Sequence, residues 1–132
     1  MKEHLMVQQQ VKNVWQHMVG VICLNLTNRK QVKEVLPKLF EKYPNPTKFL
    51  IGNIKTQKRM LAPLGMISVR LKRLRKMSRD FIKWDGENAL DLYGIGKYGS
   101  DSYRIFYKNE VPENVQDKEL KRYLSEKSFL YR

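Results

Sequence analysis

Apolar residues recur every three or four positions through most of this chain, the spacing of helices that bury one face. Between residues 5 and 24 they stand at Leu5, Val7, Val11, Val14, Trp15, Met18, Val19, Ile22 and Cys23, which predicts one or two helices. Asn25-Leu26-Thr27-Asn28 breaks the pattern, and Thr27 or Asn28 is suited to cap the next helix. Val32, Val35, Leu36, Leu39 and Phe40 define one face of that helix, which should end near Lys42-Tyr43-Pro44. The run from Tyr43 to Thr47 holds two prolines, and proline disfavours helical backbone at the residue before it, so a loop is expected. One or two short helices follow between Lys48 and Leu61, then a turn at Pro63-Leu64-Gly65-Met66. A longer helix is predicted from about Ile67 to Phe81, with Leu71, Leu74 and Phe81 inward. Ser100 to Lys108 is rich in β-formers but spaced equally well for a helix, and a last helical pattern covers Lys118 to Lys127. No segment sustains strand alternation. The expected fold is all-α, as a single domain over residues 1–132.

Charge narrows the partners. Lys and Arg number 26 against 13 Asp and Glu, a net charge of +13. Such a chain is drawn to polyanions, nucleic acid first and an anionic membrane surface second. On the predicted long helix, Arg70, Lys72, Arg73, Arg75, Lys76 and Arg79 crowd the faces left by the apolar stripe. They suit a DNA-facing or partner-facing surface and a solvated helix face equally well. No apolar run is long enough to span a membrane, and the N-terminus lacks the apolar core of a signal peptide, so a soluble intracellular protein is expected. Cys23, the sole cysteine, excludes an internal disulfide, a cysteine zinc site and an iron–sulfur cluster, and reads as a buried inert thiol. His4 and His17 lack metal-ligand spacing and read as ordinary polar residues. No metal and no cofactor is expected.

The most informative stretch is Leu92-Tyr93-Gly94-Ile95-Gly96-Lys97-Tyr98-Gly99. Two glycines around one apolar residue permit a tight turn and bare the backbone N–H groups. The start of the following helix adds partial positive charge, and Lys97 adds a full one. Together these make an anion site suited to a DNA phosphate. A Gly-x-Gly alone marks an ordinary helix connection. The longer run, extended through Ser100-Asp101-Ser102-Tyr103-Arg104-Ile105-Phe106, closely resembles the hairpin of the helix-hairpin-helix/Gly-Pro-Asp DNA glycosylases. Within that superfamily it is most similar to the thymine/uracil mismatch glycosylase domains of methyl-CpG-binding-domain proteins. Trp15, Leu24-Asn25-x-Thr27, Leu39 to Pro44 and Pro63-Leu64-Gly65 resemble that domain in the same order.

The resemblance implies a helix-hairpin-helix glycosylase fold without an iron–sulfur cluster, with the motif at about residues 84–107. It implies a monomer that acts on double-stranded DNA carrying a mismatched or damaged base, and a nuclear location. The superfamily's essential aspartate follows the hairpin, and the matching residue is Asp117, nineteen positions past Tyr98. Asp101 is the alternative, at a position that is not catalytic in the family. From the residues alone, Asp117 reads as the cap of the helix that follows. The two roles are compatible, because a helix start favours negative charge. Bifunctional members carry a lysine where this chain has Tyr98, and a phenol cannot form their Schiff base. Strand-sparing base excision is therefore implied, with Tyr98 lining the pocket. A glutamine near the N-terminus, Gln8 rather than Gln9 or Gln10, is implied to read the base. Gly94, Ile95, Gly96 and Lys97 would hold the DNA backbone. Leu64, Gly65 and Met66 would form a wedge, with Leu26 filling the void left by the flipped nucleotide. Two departures stand out. Leu26 replaces an arginine, for which Arg29 is a candidate substitute, and Glu119 replaces a lysine. They leave open a non-catalytic DNA-binding module or a glycosylase for another base.

Overall fold

The computed structural model describes residues 11–25 and 27–130, apart from the side chains of Glu119 and 126–130. His4, Gln8, Gln9, Gln10 and Leu26 lie outside these residues. The described chain is helical throughout, without a strand, as the apolar periodicity predicts. Helix α1 spans Val14–Leu24, α2 Arg29–Lys42, α3 Pro46–Leu50, α4 Ile54–Leu61, α5 Ile67–Lys83, α6 Lys97–Tyr107 and α7 Lys118–Leu130. Short 3-10 helices at Ala62–Leu64 and Ala89–Asp91 precede α5 and α6. Asn13, Asn28, Asn45 and Asn53 set four of the starts, their side-chain oxygens accepting from the N–H groups of Gln16, Lys30, Lys48 and Thr56. Each supplies an acceptor that the first turn of a helix lacks. Helix α2 continues through Pro37, whose missing N–H removes one internal bond. Burial of Val32, Val35, Leu36, Leu39 and Phe40, each contributing about 1.5–3 kcal/mol, outweighs that loss.

Helix α1 is the centre of the molecule. It packs against α2, α5 and α6, and every residue from Trp15 to Cys23 is buried. A helix that is apolar nearly all round must be enclosed on every side. Its few polar atoms therefore need partners. Trp15 Nε1 donates to Ser78 Oγ of α5 at 3.0 Å, and Gln16 Nε2 donates to the Pro44 carbonyl at 3.0 Å. Burial pushes the Cys23 thiol up to about 12, against a smaller opposing pull from Arg70, so it is the inert thiol expected. Among the described residues no helix is long and apolar enough to cross a membrane.

His17 is not the ordinary polar residue that its spacing suggests. It is 1% exposed, with Nε2 at 2.8 Å from Ser102 Oγ of α6 and the Tyr107 ring edge-on at 5.3 Å. The Ser102 hydroxyl donates to the Gly99 carbonyl at 2.9 Å, so the imidazole N–H is the donor in the His17–Ser102 pair. Burial lowers the His17 pKa to about 4 from 6.5. Well above pH 6.5, from about pH 7.5, the residue is neutral whether folded or not, and stability does not depend on its proton. Below that, the unfolded chain takes up a proton that the folded chain refuses. His17 alone should then reduce stability by about 2 kcal/mol between pH 7.5 and 5. Urea unfolding at the two pH values measures this, and a His17→Gln variant should show a correspondingly flatter pH profile.

Candidate active site and nucleic-acid interface

Two of the three hairpin glycines relieve a constraint, one of backbone geometry and one of packing. Gly94 has φ +81°, a left-handed conformation that a side chain resists. Gly99, in the first turn of α6, sits where a Cβ would lie 2.7 Å from Ile95 Cγ2 and 3.2 Å from Val21 Cγ1, so its bareness lets α6 close on α1. Gly96 differs. Its backbone is extended and nothing lies within 4 Å of a Cβ built there, so the fold does not require glycine. Helix α6 starts at Gly96 with no side-chain cap, which leaves its first N–H groups without a side-chain acceptor. The first arm of the motif is shorter than expected: between Lys83 and Lys97 the only helical segment is the single turn Ala89–Asp91, capped by Asn88.

Helix α7 starts at Asp117. Asp117 Oδ2 accepts from the Leu120 N–H at 2.9 Å, so the carboxylate is the helix cap that its position suggests. Its second oxygen accepts no hydrogen bond among the described residues. The loop from α6 is turned back by Asn109 and Asn114, at φ +54° and +55°. It is tied to α6 by the Arg104–Glu110 ion pair at 2.8 Å and by the Glu110 N–H on the Arg104 carbonyl. Val115 and Leu120 then bury against Ile105 in a small second core. Tyr98 packs on both this cluster and the main core, which joins the two.

These elements enclose a cavity of about 520 Å³. It is lined by Gly94, Gly96, Lys97, Tyr98 and Asp117 together with Leu24, Asn25, Thr27 and Arg29. Its size falls within the ~300–1,000 Å³ typical of small-ligand sites. Residues far apart in sequence, Leu24 to Arg29 from one end of the chain and Tyr98 and Asp117 from the other, thus meet in one space. Arg29, the candidate replacement for the relative's arginine, is on its wall. Ile95 is buried and shapes the turn through packing, not through exposure. Lys97 is only partly turned outward. Its Nζ lies 3.0 Å from Asp101 Oδ2 and 3.5 Å from the Glu113 carbonyl, with the side chain 44% exposed. Asp101 lies away from this cavity, paired with Lys97.

The expected wedge divides. Leu64 is 5% exposed and packs in the main core, which corrects its assignment to the loop tip. It closes the 3-10 turn that leads into α5, and the core is where its side chain finds apolar neighbours. Met66 is 53% exposed and left-handed at φ +48°, so it projects from the tip beside Gly65 at φ +73°. Arg70 holds this loop in place and was not legible as a positioning residue. The sequence pattern put it on an outer basic face, whereas it is 3% exposed. Its Nε donates to the Gly65 carbonyl at 3.0 Å, and its Nη1 to the Asn25 and Cys23 carbonyls at 2.7 and 3.2 Å.

Gly99→Ala tests the hairpin packing. It should lower stability by about 1–3 kcal/mol, because the added methyl forces Ile95 and Val21 apart. Chemical denaturation measures the loss.

No family model matches the chain. In sequence it is 28% identical over 93 residues to a thymine/uracil-DNA glycosylase of Pyrobaculum aerophilum, covering 65% of this chain and 40% of that protein. It is 26% identical over 92 residues to a methyl-CpG-binding domain protein 4-like protein of Arabidopsis thaliana, covering 70% of this chain and 21% of that protein. In structure it matches endonuclease III in a non-covalent DNA complex with a TM-score of 0.70 at 18% identity, over 85% of this chain and 55% of that one. It matches a thermostable thymine-DNA glycosylase with a TM-score of 0.68 at 20% identity, over 80% of this chain and 51% of that one. The chain thus spans less than half the length of these curated relatives and about half that of the solved structures. The chain has the fold of the helix-hairpin-helix DNA glycosylases, and its homologues include a thymine/uracil-DNA glycosylase and a methyl-CpG-binding domain protein 4-like protein.

Proposed function

We propose that this chain is a monofunctional DNA glycosylase that removes thymine or uracil paired with guanine, as a base-excision repair enzyme. One observation carries the proposal: a single cavity is lined by Asp117, Tyr98 and the glycine hairpin. In this reading the uncapped first turn of α6 and the bare Gly96 receive a backbone phosphate. Met66 enters the base stack as the target nucleotide leaves it, with Leu26 at the void and Gln8 reading the base. Extrusion costs a few kcal/mol, least for a mispaired base. As the glycosidic bond breaks, its electrons move to the base and positive charge grows on the sugar. The Asp117 carboxylate stabilises that charge and orients the water whose oxygen joins C1′, and the water's proton leaves for the base or solvent. The thymine/uracil-DNA glycosylase of Pyrobaculum aerophilum, to which the chain is similar, supports the substrate class.

The double role of Asp117 makes a clean test. Asn caps a helix as well as Asp does, so Asp117→Asn should change stability by no more than about 0.5 kcal/mol. The same change should lower single-turnover base release from a G·T or G·U duplex by at least about 10²-fold. Equal release by both proteins would make Asp117 a cap alone. Duplex binding without release by the unmodified protein would favour the non-catalytic module.

Tyr98 supplies a second test. With a phenol in place of an amine, borohydride added during turnover should trap no protein–DNA adduct, and strands should break only after alkali. A third follows from Gly96. Gly96→Ala should cost no more than about 1 kcal/mol, the preference for glycine over alanine at a helix start, since its Cβ meets open space. It should nonetheless weaken duplex binding measured by fluorescence anisotropy, because the methyl stands where the phosphate must approach.

A further inference from the structure

The six cations between Arg70 and Arg79 on α5 suit either an interface or a solvated face when read from sequence. The structure sorts them. Arg70 and Arg75 turn inward: Arg75 Nη2 donates to the Leu50 carbonyl at 2.9 Å, and its Nη1 to Gln57 Oε1 at 3.1 Å. A different face of α5 carries Met66, Val69, Arg73, Lys76 and Asp80, at steps of three and four that align along one side of a helix. Both ends of that line are fixed. Met66 is the exposed loop tip. At the other end, Asp80 Oδ2 accepts from the Tyr93 N–H at 2.9 Å, and Lys76 Nζ lies 4.7 Å from the centre of the Tyr93 ring. Tyr93 directly precedes the Gly94 turn. From position 66 to 76 the helix rises about 15 Å, which is roughly four nucleotides along one strand. Neither Arg73 nor Lys76 is ion-paired among the described residues.

We infer that this face of α5 is a second phosphate-binding surface, with Arg73 and Lys76 contacting the DNA backbone between the Met66 tip and the hairpin. The inference rests on duplex DNA being the partner. A duplex held at both the tip and the hairpin must cross this face, and the face offers it two cations that are not ion-paired among the described residues, its one carboxylate, Asp80, being bound to the Tyr93 N–H.

The test is the salt dependence of duplex affinity for the full chain. Each phosphate contact adds about 0.9 to the slope of log affinity against log salt. Arg73→Gln/Lys76→Gln should therefore lower the slope by roughly 2. The charge-keeping pair Arg73→Lys/Lys76→Arg should retain it. Lys38→Gln/Lys42→Gln on α2 removes the same charge elsewhere and should leave the slope unchanged. A slope equal to that of the α2 pair would make the face merely solvated and overturn the inference. So would the absence of duplex binding by the unmodified chain. Binding with the expected slopes but without base release would sink the glycosylase reading and leave this surface standing.

Discussion

The buried guanidinium of Arg70 is the joint on which the site depends. Helix α1 ends with its carbonyls pointing at α5, and an unpartnered carbonyl in the interior costs about 1–3 kcal/mol. Arg70 meets the Cys23 and Asn25 carbonyls with one nitrogen and the Gly65 carbonyl with another. Its positive charge also lies at the negative end of the α1 dipole. A buried charge is tolerated only with such hydrogen bonding, and the planar fork of arginine provides it where a lysine point charge would not. The consequence is mechanical. Leu24 and Asn25 line the cavity, and Gly65 and Met66 form the exposed tip, so one side chain fixes the pocket rim relative to that tip.

Arg75 repeats the device one turn and a half further along α5. It ties the carbonyls that end α3 to Gln57 of α4, itself fully buried and donating to the Phe49 carbonyl at 2.7 Å. Burial, with the nearby Arg79 adding to it, pulls its pKa down from the ordinary arginine value. Helix α5 thus uses cations in two ways. Those facing inward terminate neighbouring helices, and those facing outward add to the net positive charge of the chain.

The site is assembled from weakly constrained parts held by strongly constrained ones. Tyr98 is wedged between two cores, and Asp117 is held through the Leu120 N–H and the burial of Val115 and Leu120. Gly96 is bound by neither packing nor backbone geometry. A hairpin that is rigid at Gly94 and Gly99 and bare at Gly96 presents its N–H groups at a fixed place without a side chain in front of them. Rigidity around an accessible donor is what an electrostatic site needs, since the donors then require no reorganisation when charge arrives.

The periodicity of Val32 to Phe40 and of Leu71 to Phe81, the breaks at Asn28 and Pro44, and the hairpin glycines are local signals, and they determined the helices and their order from sequence alone. Asp117 as a cap was legible for the same reason, because capping acts within three residues. Leu64, His17 and Arg70 were misplaced because their roles depend on what other elements bring near them. Leu64 was drawn from the loop tip into the core, His17 was enclosed by α6 at Ser102, and Arg70 was drawn inward by the carbonyls that end α1. Helical spacing shows which side chains share a face, but it does not show which face another helix will cover. That choice, and with it the meeting of Tyr98 and Asp117 across one cavity, was decided only when α1 was enclosed on all sides and α6 and the loop beyond it were packed into place.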